Sequence, residues 1–437
     1  MTRQIEGLEK RNYYRNLLST YSCFIVGGRL NIKFENKDVL REAVRQLFES
    51  RKQLRLNVFK DDQNNTLVEK EIENGWDSKE VVEFMNTSED YSITEILNDL
   101  HEKTFKLEVQ KPMWKIVVVN QEWIMVLCDH TLYDGTTAAL ILEDLLTLLN
   151  KEGLPVDKDL NLSKFVELTT PSYTYTTCKI LEHFSPNFMK PFFKSMFSYG
   201  SKYEAFDGPG WVENAGTKEK TFRTLKQLIS IDMEDFMKLK KLIDLHGVKF
   251  TAFWVYLSII SLSKIKNHDN IKVSVPCNLR SLLPSNFENH YGLFVSAVFL
   301  NLKPVATENI DWDYVKFINS TITRNELIKG ASLIGMLKYV DPKEGVSKEA
   351  TSPRKTTYEI SNLGLRKIPT LDNQVYSFDE FIFSQPNSLT GTQLTNSVIS
   401  SSKKVNIVVD GTPETKSFYH QYVQILNSQL QEILSSI

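Results

Sequence analysis

The chain has 437 residues, 41% of them hydrophobic and 25 of them phenylalanine. That is apolar material for two cores of roughly 200 residues each and too much for a disordered protein. Its 52 basic and 54 acidic side chains leave a formal charge of −2, which excludes a global attraction to nucleic acid, so any anion site has to be a local basic patch.

The first eleven residues hold no apolar run, so no secretory leader is expected in them, and no apolar span of 18 residues occurs anywhere in the chain. Residues 22–30 read as a strand, 37–51 as a helix with Leu40, Val44 and Leu47 on one face, and 54–59 and 66–70 as short strands. Gly27-Gly28 stands alone and is not a dinucleotide loop. Residues 114–128 predict a strand, a tight Asn120-Gln121 turn and a second, buried strand. Residues 136–149 then carry Ala139, Leu140, Leu142, Leu145, Leu146 and Leu149 at helical spacing.

Between about 160 and 216, Pro171, Pro186, Pro191 and Pro209 and clustered aromatics interrupt regular patterns, which suggests a crossover between domains. Beyond it, 225–233 reads as a strand, 234–245 as a helix ended by Gly247, and 251–262 as a strongly apolar helix. The last helix has Tyr422, Val423, Ile425, Leu426, Leu430, Ile433 and Leu434 on one face and little positive charge on the other, the pattern of a packed helix. Strands and helices alternate with hairpins and not as strict βαβ units, so the expected fold is α/β (α+β), with a mixed, largely antiparallel sheet flanked by helices. Cys23, Cys128, Cys178 and Cys277 lack Cys-x-x-Cys spacing and are expected to be reduced. Asn-x-Ser/Thr matches such as Asn319-Ser-Thr321 read as chance.

The most informative stretch is His130-Thr-Leu-Tyr-Asp134-Gly135. It places an imidazole, a carboxylate and a glycine between an apolar strand and an amphipathic helix, where a rigid scaffold can hold a reactive group at the mouth of a cleft. Histidine can remove and return a proton near neutral pH; set against this is a histidine simply packed at a strand end. The same spacing could present two metal ligands, but His101, His183, His246, His268, His290 and His420 form no cluster, so no metal is expected. There is no Gly-x-Ser-x-Gly elbow for a serine nucleophile.

These residues resemble the His-x-x-x-Asp-Gly signature of the CoA-dependent (chloramphenicol acetyltransferase-like) acyltransferase superfamily, and further landmarks fall in that family's order. They are Lys111-Pro-Met-Trp114, Val275-Pro-Cys-Asn-Leu-Arg280, Tyr291-Gly292, Glu359-Ile-Ser-Asn-Leu-Gly364, Phe383-Ser-Gln385 and Val405-Asn-Ile-Val-Val409. Together they cover nearly the whole chain and are most similar to the fungal alcohol acetyltransferase family. Asp129 stands where condensation domains usually carry a second histidine, and the plant-type Asp-Phe-Gly-Trp-Gly is absent. The chain is also shorter at both ends than the better known yeast alcohol acetyltransferases, which disfavours their membrane-associating segments.

The resemblance implies two chloramphenicol acetyltransferase-like lobes with an active-site tunnel between them. We expect residues 1–165 to form the N-terminal lobe, 166–215 a crossover and lid, and 216–437 the C-terminal lobe. It implies direct acyl transfer from acetyl-CoA to a hydrophobic alcohol, with His130 as general base and Asp134, Gly135 and Arg280 in structural support. Alternatives are N-acetylation of a lipophilic, sphingoid-like amine, a non-catalytic two-lobe binding protein, and a thioesterase. Ser361 and Asn362 are the oxyanion or tunnel candidates, and Arg366, Lys367, Lys403 and Lys404 the candidates for CoA phosphates. Tyr133, Phe294, Phe381 and Phe383 are candidates for an apolar acceptor pocket. No cofactor is expected to be permanently bound; acetyl-CoA is the implied cosubstrate. The expected protein is a cytoplasmic monomer, with peripheral contact to endoplasmic reticulum or lipid droplets as the family analogy.

Overall fold

The computed structural model describes the chain except residues 1–2, 74–76, 89, 156–159, 178–200, 206–207, 214–216, 267, 269, 305–308, 367 and 369–373. The predicted hairpin forms between strands Trp114–Val119 and Trp123–Cys128. Asn120 and Gln121 both adopt positive φ, +52° and +60°, at the centre of a tight turn that Glu122 N closes by donating to the Val119 carbonyl at 3.0 Å. Every residue of Ile124–Cys128 is buried, so the strand is covered on both faces, as its unbroken apolar run requires.

That hairpin lies within a five-stranded sheet ordered Phe378–Ser384, Phe24–Leu30, Trp123–Cys128, Trp114–Val119, Val82–Met85, antiparallel except for its last pair. The edge strand Phe378–Ser384 comes from the far half of the chain, within the segment 216–437 that the sequence assigns to the other lobe. Gly27 and Gly28 make room for it. A Cβ on Gly28 would lie 2.5 Å from the Phe378 ring, and one on Gly27 would lie 2.3 Å from Met125 Sδ and 3.0 Å from Ile382. The glycine pair therefore serves close packing between strands.

A six-stranded sheet is ordered Val295–Leu302, Ile271–Asn278, Tyr358–Leu365, Leu394–Ser400, Lys404–Gly411, Leu225–Asp232, with Tyr358–Leu365 parallel to both neighbours. A small sheet joins Arg3–Gln4, Thr66–Glu71 and Leu56–Asp61. Helices Lys37–Ser50 and Gly135–Leu149 build one core on the five-stranded sheet. Helix Phe250–Ile265 is buried on all sides from Ala252 to Leu262, at the centre of the second core. The terminal helix Lys416–Ser436 packs on it through Tyr422 Oη to Ser258 Oγ at 3.1 Å and Gln429 Nε2 to Ser261 Oγ at 2.6 Å. Among the described residues no single helix is long and apolar enough to cross a membrane.

The two sheets are joined by a third cluster, in which Val408 of the second packs with Ile25 and Ile382 of the first. Helix Gly7–Leu17 adds a clasp, with Arg11 paired to Glu349 of helix Pro342–Thr351 at 2.5 Å. The cavity described next opens between these two halves.

Candidate active site

His130 lies in the short turn that links strand Trp123–Cys128 to helix Gly135–Leu149. Its Nδ1 is 2.8 Å from the Tyr133 carbonyl oxygen. A carbonyl oxygen only accepts, so Nδ1 carries the proton and Nε2 keeps its lone pair. Asn12 Nδ2 donates to the His130 carbonyl at 2.8 Å, and the imidazole leans on Phe24 and Tyr21 with ring centroids 5.0 and 5.9 Å away. Burial, and then the nearby charge of Arg15, push the imidazole down to about 4, so at neutral pH it is the uncharged, proton-accepting form.

Asp134 does not orient that ring. It caps the helix, its Oδ1 accepting from Thr137 N at 2.8 Å and from Thr137 Oγ1 at 3.0 Å. Its Oδ2 accepts from Arg280 Nη1 at 2.7 Å and Phe294 N at 2.8 Å. Arg280 spends its other donors on Thr137 Oγ1 at 3.0 Å and the His290 carbonyl at 3.0 and 3.2 Å, with the Phe294 ring 4.8 Å from its guanidinium. Burial alone would raise the Asp134 carboxyl, but the charge and hydrogen bonds of Arg280 outweigh it and hold the group below its ordinary value. The pair pins the turn that carries His130 to the segment 290–294.

Gly135 is the first helical residue, and its φ is not positive, so conformational freedom is not what it supplies. A Cβ there would lie 2.8 Å from Leu363 Cδ2. The glycine admits the Leu363 side chain from strand Tyr358–Leu365 against the helix start.

A cavity of about 820 Å³ opens on His130, and its walls come from both halves of the molecule. Ser361, Asn362 and Arg366 line it together with Asp134 and Gly135. Asn362 is already engaged, donating to Thr251 Oγ1 at 3.1 Å and accepting from Gly364 N at 2.8 Å, so of the two oxyanion candidates Ser361 is the one without such duties. Arg366 is held by Glu143 at 2.6 Å.

Lys403 and Lys404 do not reach the cavity. They lie at and just after the hairpin turn that joins strands Leu394–Ser400 and Lys404–Gly411, and Lys403 is exposed and paired with Asp379 at 2.6 Å. Lys367 is outside the described residues. Of the aromatic candidates only Phe383 lines the cavity; Phe381 and Tyr133 belong to the core, Tyr133 donating to the Gln53 carbonyl at 2.7 Å, and Phe294 lies under Arg280.

The sequence reading missed Arg11, Arg15, Tyr21, Lys218, Arg354 and Glu359, all of which line the cavity. Arg11 and Arg15 are spaced i, i+4 on one helix face, and Glu359 alternates with Ser361 on one strand face. Both periodicities were available signals.

A family model described as "Alcohol acetyltransferase" matches residues 67–430. The N-acetyltransferase SLI1 of Saccharomyces cerevisiae is 22% identical, across 89% of this chain and 91% of its own. Among solved structures, the first condensation domain of the CDA synthetase superposes with a TM-score of 0.65 at 12% identity, covering 98% of this chain and 96% of the other. The TRI3 trichothecene 15-O-acetyltransferase of Fusarium sporotrichioides does so with 0.63 at 11%, covering 97% and 94%. These likenesses define the class by its fold, the one shared by these condensation and acetyltransferase domains. Within that class, the chain belongs to the alcohol acetyltransferase family.

Proposed function

We propose that the protein moves an acetyl group from acetyl-CoA to a hydroxyl or amine of a small hydrophobic acceptor, with His130 as the general base. The observation that carries this reading is the fixed tautomer of His130. The Tyr133 carbonyl holds the Nδ1 proton, and the neutral ring lies in the wall of a cavity large enough for two substrates.

In this mechanism Nε2 takes the acceptor's proton as its oxygen or nitrogen attacks the thioester carbonyl, and returns it to the departing CoA thiolate. No acyl-enzyme forms. Ser361 is the candidate donor to the tetrahedral oxyanion. The cationic lining at Arg15 and Lys218 replaces Lys403 and Lys404 as the candidate attraction for CoA phosphates, Arg354 beside them being paired with Glu414 at 3.2 Å. The family description supports a hydroxyl acceptor and the yeast relative an amine.

The test is thiol release from acetyl-CoA by the purified protein with a panel of hydrophobic alcohols and amines, beside His130→Ala. Acceptor-dependent release that disappears in the variant is the expected result. Release that persists in the variant removes His130 from the chemistry.

A further inference from the structure

Glu359 is a carboxyl in the same cavity as His130 that makes no ion pair with any described residue. It lies on strand Tyr358–Leu365 with its side chain on the cavity face, while Tyr358 and Ile360 enter the core. Two long hydrogen bonds reach it, from Ser274 Oγ at 3.2 Å and Gln385 Nε2 at 3.3 Å. A carboxylate offers about four acceptor sites, so part of its capacity is left for a ligand.

The charged and titratable groups around it are few. Arg15, from helix Gly7–Leu17, acts on Glu359 through space, while its own guanidinium lies 4.2 Å from the Tyr21 ring and donates to Asn12 and Ser388. Tyr21 stands beside both His130 and the field of Glu359. Lys272 lines the same cavity, and Asp410, behind Thr395, is neutralised by Lys226 at 2.5 Å. Burial pushes the Glu359 carboxyl up against the downward pull of Gln385, Ser274 and Arg15.

Proton counting gives this group a task. An alcohol sheds one proton on acylation, and His130 has one vacant nitrogen for it. An alkyl amine arrives as an ammonium, with a pKa of about 10.4 by analogy with lysine, and sheds two. Resting on the acetyl-transfer reading above, we propose that Glu359 takes the first proton of an ammonium acceptor and His130 the second, so that the site is built for a lipophilic amine.

The step balances. The ammonium N–H proton passes to the Glu359 carboxylate, and the freed nitrogen pair forms the N–C bond at the thioester carbonyl. His130 Nε2 takes a proton from that nitrogen, the C–S bond breaks toward sulfur, and His130 protonates the CoA thiolate. Glu359 then loses its proton to solvent through the cavity, leaving amide, CoA thiol and one proton.

The experiment compares octylamine and 1-octanol as acceptors, reading kcat/KM by thiol release from pH 6 to 10 for the wild type, Glu359→Gln and Glu359→Asp. With wild type, the octylamine rate should reach its plateau well below the solution pKa of the amine. In Glu359→Gln it should climb tenfold per pH unit toward that pKa, because only free base then reacts. That is a loss of roughly 10³-fold at pH 7, shrinking toward pH 10, with Glu359→Asp in between. Octanol turnover should show no such pH-dependent loss.

If the Gln variant slows both acceptors equally at every pH, or if wild type with octylamine already tracks the free-base fraction, the assignment of Glu359 is overturned. The wild-type profile can overturn the assignment even if the variants do not fold. Absence of release with every acceptor would instead overturn the acetyl-transfer reading itself.

Discussion

Arg280 Nη1 meets Asp134 Oδ2 at 2.7 Å across 146 residues of sequence, and both side chains are almost fully buried. This pair couples strand Ile271–Asn278, through the turn after it, to the helix that begins beside His130. It holds the turn that carries His130 without touching the imidazole. Removing one partner leaves the other charge buried and unpaired, so Asp134→Ala and Arg280→Ala should each cost about 3–5 kcal/mol of stability. The double variant should cost less than the sum. Urea unfolding of the four proteins checks it, and additive losses would show that the two groups act independently.

The tautomer and low basicity of His130 fix a pH dependence. Its folded value is about 4 against an ordinary 6.5, so between those values the unfolded chain binds more protons than the folded one. Stability contributed by this site is therefore complete above about pH 6.5 and falls as pH drops toward 4. His130→Gln should flatten that part of the stability curve. In the wild type, kcat/KM with an alcohol acceptor should hold level from pH 8 to 6 and decline only near 4. A midpoint near 6.5 would mean that the ring is solvated.

Gly135 offers a test of packing against conformation. Gly135→Ala adds a methyl 2.8 Å from Leu363 Cδ2 at a position whose backbone any residue can adopt. Overpacking of this kind should cost about 1–3 kcal/mol. Leu363→Ala in the same protein should recover part of that loss, measured as a rise in melting temperature relative to Gly135→Ala alone. No recovery would mean that the loss does not come from the contact with Leu363.

How far the sequence could be read depended on whether the signal was local. The hairpin 114–128 and the helix after it were legible because apolar runs, a tight turn and helical spacing lie within one short segment. The partnership of Asp134 with Arg280 was reachable only because two motifs of the family resemblance stand at those positions. Lys403 and Lys404 were misplaced since a pair of lysines says nothing about where its strand end points, and here the hairpin turn faces Asp379. The edge strand Phe378–Ser384 was invisible as a member of the first sheet, because strand pairing across some 350 residues leaves no local trace beyond Gly27-Gly28. Glu359 and Arg15 carry local periodicities, Glu359 with Ser361 and Arg15 with Arg11, but only the assembled fold shows that those faces line the cavity that also holds His130.

Ser361 and Asn362 are neighbours whose substitution should have different consequences. Side chains alternate along a strand, yet both line the cavity, and the register of Tyr358–Leu365 shifts just beyond them, between Asn362 and Leu365. Asn362 binds Thr251 Oγ1 and Gly364 N, where Gly364 has φ +72°, so its amide stabilises this irregular backbone. Asn362→Ala should appear chiefly as lost stability, about 1–3 kcal/mol for a broken pair of hydrogen bonds. Ser361, with its hydroxyl free for the reaction, should behave as a transition-state donor. Ser361→Ala should lower kcat roughly 10²-fold while the KM for acetyl-CoA stays near the wild-type value. Steady-state thiol release together with thermal melts separates the two. A Ser361→Ala variant that raises KM and leaves kcat intact would place the serine in substrate binding and leave the oxyanion to backbone donors.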